Sequence, residues 1–294
     1  MHNLTIVSPN EMLFISSIFR QWFLHFFEEV NIIKELNDFN ESTTYFFYCI
    51  FLIDEKFYPY LKNNYFIYQL EQHTNGRLSH HYQPMKQYVD FFYENAIMTF
   101  DYCQQNIDFL NTYLSPQAKK PILLEVPFIT GKAIHKIKNH KPIDILFCGC
   151  LNNRRKRILK FLIKRYTIKV VSNTFHEDLI PYFNQSRILL NIHFYDNAIL
   201  ERVRIHEGLH YGLDIVSELP CEADMSCLSF YKDVVEFVPV IDNISLRSME
   251  PLFKTIDRTI NKTLMSTKKK TNLLEKLSFE NFNQIMLAAI ISNK

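Results

Sequence analysis

Residues 187–218 read RILLNIHFYDNAILERVRIHEGLHYGLDIVSE. The first eight, RILLNIHF, form a short, largely apolar run of the kind that marks a strand covered on both faces. Residues 200–211 suit a helix, and Gly212 suits its C-cap. Residues 213–218, LDIVSE, make a second apolar run. Strand, helix and strand in quick succession predict a βαβ unit and therefore a parallel sheet.

The same rhythm extends in both directions. IDILFCG (143–149), TIKVVS (167–172) and VVEFVPV (234–240) read as strands, with helices at 154–165 and 176–186 and from 241 onward. Toward the N-terminus, LTIVS (4–8), the apolar run at 45–53, YFIYQL (65–70) and ILLEVPFI (122–129) read as strands. Residues 11–36 read as helical, with Phe19, Phe23 and Phe26–Phe27 at helical spacing. Residues 84–96 read as a helix, and 96–106 as strand, turn and helix start. Residues 130–142, TGKAIHKIKNHKP, are basic and poor in large apolar groups, as a linker is. The pattern predicts an α/β chain of two doubly wound domains, 1–130 and 143–278.

Composition agrees with a folded chain. Of 294 residues 47% are hydrophobic and 22% charged, which argues against disorder. The net charge of +2 lacks the global basic field of many nucleic-acid binders, so anion binding must be local. The helix at 154–165 is the one basic stretch on which a nucleic-acid reading could rest. The six cysteines are scattered and read as reduced thiols, pointing to a cytoplasmic location. Cys148 and Cys150 are too closely spaced for a zinc pair, so no metal site is expected. No apolar run reaches the length of a transmembrane helix, and the first ten residues lack signal-peptide character.

In doubly wound sheets ligands bind beyond the carboxyl ends of the strands. Three strand ends are polar. The first is Gly149-Cys150-Leu151-Asn152-Asn153-Arg154-Arg155, where cations meet the positive end of a helix; a phosphate would satisfy both, and a solvated basic helix is the alternative. The second is Asn191-Ile192-His193. The third is the helix with Glu201, Arg204 and Glu207, followed by Ser217-Glu218. Glu201 and Glu207 lie about 600° apart around a helix, so they are not an acid/base dyad, while Arg204 is i,i+3 to both. A crevice lined by these groups suits a phosphate-and-sugar ligand. Neither G-x-G-x-x-G nor a P-loop is present.

The series FCGCLNNRR, RILLNIHFYDNAILERVRIHEGLHYGLDIVSE and YKDVVEFVP resembles the donor-binding half of GT-B glycosyltransferases, nearest to the short glycosyltransferase family 1 or CgeB-like group. YFIYQLEQ and FDYCQQN are similar to that group's acceptor-side strand ends. The resemblance covers roughly residues 45–240 and implies two Rossmann-like domains, an acceptor-side one first and a nucleotide-sugar domain second. It implies that the final helix, 279–294, crosses back to the first domain. It matches Glu207 to the ribose-contacting second glutamate of the E-x7-E motif and puts Arg154 or Arg155 at the diphosphate. The first motif glutamate falls at Ile199, with Glu201 two positions away.

The implied activity is metal-independent sugar transfer from a nucleotide-sugar in the inter-domain cleft to a glycan, protein or small molecule. The nucleotide-sugar is a co-substrate, and no cofactor is implied. An inverting reaction would need a base, for which Asp101, Glu71 and His81 are the candidates. A GT-B module that binds a nucleotide or partner without transfer is the second reading.

Overall fold

Parallel strands covered on both faces must be apolar throughout, and the central strands here are. In a computed structural model describing residues 3–49, 53–73, 85–130, 141–261 and 267–292, all five residues of Tyr65–Gln69 are buried. The chain divides into two units, Met1–Pro127 with Ser278–Lys294, and Phe128–Leu277. His81 and most of the expected linker lie outside the described residues.

The first unit contains β1 (Asn3–Val7), α1 (Leu13–Phe23), β2 (Glu29–Ile33), β3 (Thr43–Tyr48), β4 (Tyr65–Gln69), α2 (Lys86–Asn95), β5 (Met98–Asp101), α3 (Gln104–Tyr113) and β6 (Ile122–Leu123). All its strand pairs are parallel, in the order β2-β1-β3-β4-β5-β6. One face of the sheet buries Val7, Phe47, Tyr65, Ile67 and Phe92. Against the other, Phe19 and Phe23 of α1 pack on Phe46, and Phe19 also meets Tyr68. Phe282, from the returning segment, touches Phe19, Trp22 and Phe23 at centroid distances of 5.2–5.9 Å.

Two expectations change here. Residues 11–36 are not one helix: α1 stops at Phe23, and Glu29–Ile33 is an edge strand. Only Val30 of that strand is fully buried, so its apolar signal is weak. The expected strand at 122–129 shrinks to Ile122–Leu123, because its partner β5 ends at Asp101. Leu124, whose amide still donates to the Asp101 carbonyl at 2.9 Å, and Val126 and Phe128 remain buried beyond the strand.

The second unit contains β7 (Ile143–Cys148), α4 (Asn153–Leu162), β8 (Ile168–Val171), α5 (Ile180–Gln185), β9 (Ser186–Asn191), α6 (Arg202–His210), β10 (Asp214–Glu218), α7 (Leu228–Tyr231), β11 (Val235–Val238), α8 (Leu246–Ile260) and α9 (Thr267–Ser292), whose last turns belong to the first unit. Its parallel sheet runs β11-β10-β9-β7-β8. Counting strands within each unit, both sheets have the order 2-1-3-4-5, with the first unit adding a sixth. Both are doubly wound, and the order reverses between the first and third strands. In the second unit this switch point falls between β7 and β9.

α6 packs closely on the sheet. A Cβ on Gly208 would sit 2.4 Å from Leu189 Cδ2 and 2.9 Å from Ile215 Cδ1. The helix ends as expected at Gly212 (φ 71°). The Leu213 amide donates to the Gly208 carbonyl and the Gly212 amide to the Leu209 carbonyl, a Schellman pair. No described helix is long and apolar enough to cross a membrane.

Candidate functional site

The carboxyl ends of β7 and β9 are tied together by side chains. Asn152 caps α4, its Oδ1 accepting from the Arg155 amide at 2.8 Å. Its Nδ2 donates to the Phe194 carbonyl at 2.7 Å, spanning the switch point. One asparagine thus satisfies an orphan helix amide and fixes the two loops together.

The two arginines of α4 turn inward. Arg154 makes a two-pronged pair with Glu218 and also donates to the carbonyls of His193 and Ile241. Glu218, 1% exposed, further accepts from the amides of His193 and Ile241. This buried carboxylate therefore organises the ends of β9, β10 and β11. His193 donates from Nε2 to the Leu219 carbonyl, the only role open to a nitrogen facing a carbonyl, and its Nδ1 is buried with no hydrogen-bond partner among the described residues.

Arg155 is 2% exposed. It donates to the carbonyls of Ile192 and Cys150 and to Glu201, and its guanidinium lies over the rings of Phe147 and Phe194. Burial lowers its pKa to about 10, against the opposing pull of Glu201.

Arg204 completes the cluster from α6. Its Nη1 donates to Asn191 Oδ1 at 2.6 Å, and it pairs with Glu201. Asn191 is held in turn by its Nδ2 donating to Ser217 Oγ at 3.0 Å. Gly149, at φ 137°, lets this cation lie on the β7 loop: a Cβ there would be 2.8 Å from Arg204 Nη2 and 3.6 Å from Arg155 Nη1. Two guanidinium groups thus converge on one glycine at the switch point.

Glu207 stands one turn along α6. Its Oε1 is buried with no hydrogen-bond partner among the described residues. Burial raises its pKa to about 7, although Arg204 pulls the other way. Burial, together with the Glu207 charge, pushes the Cys148 thiol at the end of β7 upward.

The structure therefore gathers Gly149, Asn152, Arg154, Arg155, Asn191, His193, Glu201, Arg204, Ser217 and Glu218 into one network around the switch point, with Glu207 beside it. Sequence reasoning missed the Asp224 anchor. Asp224 accepts from the Leu200 amide at 2.9 Å and from Arg202 at 2.6 Å, pinning the start of α6. Its only local signal is a short acidic segment, Glu222–Cys227, which folds as a 3-10 helix. The remaining candidates lie in the first unit. Asp101 is fully buried, and its Oδ1 accepts from the Cys103 amide and Asn106 Nδ2, shaping the turn into α3. Glu71 follows β4, and its carbonyl accepts from the same Asn106. Among the described residues no group of three or more His, Cys, Asp or Glu could hold a metal ion.

No protein-family model and no curated protein sequence matches the chain. Solved structures do. Anabaena Alr3699/HepE, solved in complex with UDP and glucose, has a TM-score of 0.56 at 9% identity, covering 99% of this chain and 100% of that one. A glycosyltransferase from Rickettsia africae has a TM-score of 0.54 at 10% identity, covering 98% of each chain. WaaG, a glycosyltransferase involved in lipopolysaccharide biosynthesis, has a TM-score of 0.53 at 11% identity, covering 99% of each. At such identities the likeness is one of fold: two Rossmann-like units of the GT-B class.

Proposed function

We propose that the protein is a glycosyltransferase that takes a sugar from a nucleotide-sugar, with the nucleotide held at the β7/β9 switch point of the second unit. The observation that carries this reading is the convergence of the Arg204 and Arg155 guanidinium groups on Gly149 at the switch point, with the Glu207 carboxyl one turn along α6. Glu207, partly exposed as a residue, would meet the ribose hydroxyls. Arg204, partly exposed and seated on Gly149, would meet the diphosphate and stabilise its charge as the sugar departs. Arg154 and Arg155 hold the loops around it through their internal partners.

In the first unit, a cleft of about 300 Å³ opens by the ends of β1 and β3, lined by Lys34, Asp54 and Lys56 with Phe47 and Phe57. Its mixture of charges and rings suits a polar acceptor with an apolar part. The acceptor's class stays with this proposal: a glycan, a protein or a small molecule.

Calorimetric titration with UDP, GDP, ADP and CMP, followed by a turnover screen with the matching nucleotide-sugars, tests the reading. HepE was solved with UDP, so uridine nucleotides head the screen. Glu207→Ala is expected to weaken nucleotide binding at least tenfold while the fold is kept. Unchanged affinity would remove the ribose role. One observation favours a second reading, a nucleotide-binding module without transfer: Ile199, where the first motif glutamate falls, is apolar and 2% exposed. Tight nucleotide binding with no turnover on any acceptor would select it.

A further inference from the structure

Glu201 does not sit as a sugar contact would. One carboxylate oxygen accepts from Arg155 at 2.8 Å and the other pairs with Arg204. A single carboxylate thus bridges two cations, as the oxygens of a phosphoryl group can.

The three groups are not equivalent. Arg155 is buried and also serves two carbonyls, so it needs a permanent counter-charge. The Arg204 and Glu201 side chains are 20% and 27% exposed. Glu201 precedes the first turn of α6 and caps no amide with its side chain, so no helix contact fixes its carboxylate there. Arg154 is neutralised separately by Glu218. Two guanidinium charges therefore share the Glu201 carboxylate, with the Glu207 carboxyl, of pKa about 7, as the other acid that Arg204 acts on.

We propose that Glu201 is the resident counter-ion of a diphosphate subsite. In the free protein it holds Arg204 in place of a phosphoryl group, and on binding Arg204 exchanges Glu201 for the ligand while Glu201 stays on Arg155. The inference rests on the nucleotide-binding reading and adds a charge rule to it. The subsite accepts the diphosphate against a standing negative charge, which weakens every anionic ligand and leaves neutral nucleosides unaffected.

The test compares pyrophosphate, UDP and uridine by calorimetry on the wild-type protein and on Glu201→Gln, which keeps the shape and removes the charge. Glu201→Gln is expected to bind pyrophosphate and UDP about tenfold more tightly, as removal of one nearby charge in a partly solvated site implies, with uridine unchanged. Equal or weaker pyrophosphate binding overturns the counter-ion role. If that occurs while UDP still binds and Glu207→Ala still weakens it, only this inference falls. If neither UDP nor pyrophosphate binds either protein, both readings fall. Should Glu201→Gln not fold, Arg204→Gln carries the test: pyrophosphate binding is expected to vanish while uridine affinity holds, and retained pyrophosphate binding overturns the proposal.

Discussion

Glu207→Gln should make the protein more stable, and increasingly so as the pH rises. The Glu207 carboxyl has a pKa of about 7 in the fold against an ordinary 4.5, with burial as the main cause. A pKa raised by folding means that the folded state holds the proton more tightly. The stability this supplies is fully present below about pH 4.5 and is lost as the pH passes through 7. Glutamine has no proton to lose. At about 1.4 kcal/mol per pH unit, the gap between variant and wild type should widen by roughly 2.5 kcal/mol from pH 5 to pH 8. Comparing two pH values cancels whatever the amide itself changes. The chain's one tryptophan, Trp22, lies in the first unit and would not report on α6. Urea unfolding should therefore be followed by far-ultraviolet circular dichroism, or heat unfolding by calorimetry. A gap that stays constant or narrows between pH 5 and pH 8 would refute the claim that burial in the fold raises the Glu207 pKa.

Other substitutions probe the frame. Gly208→Ala would help an isolated helix by about 1 kcal/mol; here the new methyl meets Leu189 and Ile215, and a net loss of about 1–3 kcal/mol is expected in urea titration. Gly149→Ala forces an alanine to φ 137° and pushes on Arg204, so about 1–3 kcal/mol of stability should go together with most pyrophosphate affinity, measured by unfolding and calorimetry. Asp224→Ala leaves Arg202 buried beside an unanswered Leu200 amide and should cost about 3–5 kcal/mol by calorimetric unfolding. Phe282→Ala removes a fully buried ring from the aromatic group around Phe19 and should cost about 3–5 kcal/mol, read by Trp22 fluorescence during unfolding.

The central strands were legible because parallel strands buried on both faces write long apolar runs, as Tyr65–Gln69 and Ser186–Asn191 do. Edge strands write less. In β2, Glu29 and Asn31 face outward, and its apolar residues could be taken for the tail of α1. The stretch from Glu222 to Tyr231 went unread because its 3-10 and one-turn helices are too short to show a period.

The strand-end rule pointed to the residues around the switch point, but it says nothing of whom each one meets. Arg154 looked available for a phosphate from its place at a helix start. Its partner Glu218 lies 64 residues away, and only the sheet brings them together. Arg202 and Asp224 offered no motif, because a buried ion pair is a property of packing rather than of spacing.

The returning segment has a consequence for how the protein is made. Residues 1–127 are translated before residues 128–277, yet their unit also includes Ser278 onward. Translation of Phe128–Leu277 must come in between, which at 5–20 residues per second takes on the order of ten to thirty seconds. For that interval Phe19, Trp22 and Phe23 lack the ring of Phe282 that later covers them. The unit that is begun before the other is completed after it, and until then these rings stay without that cover.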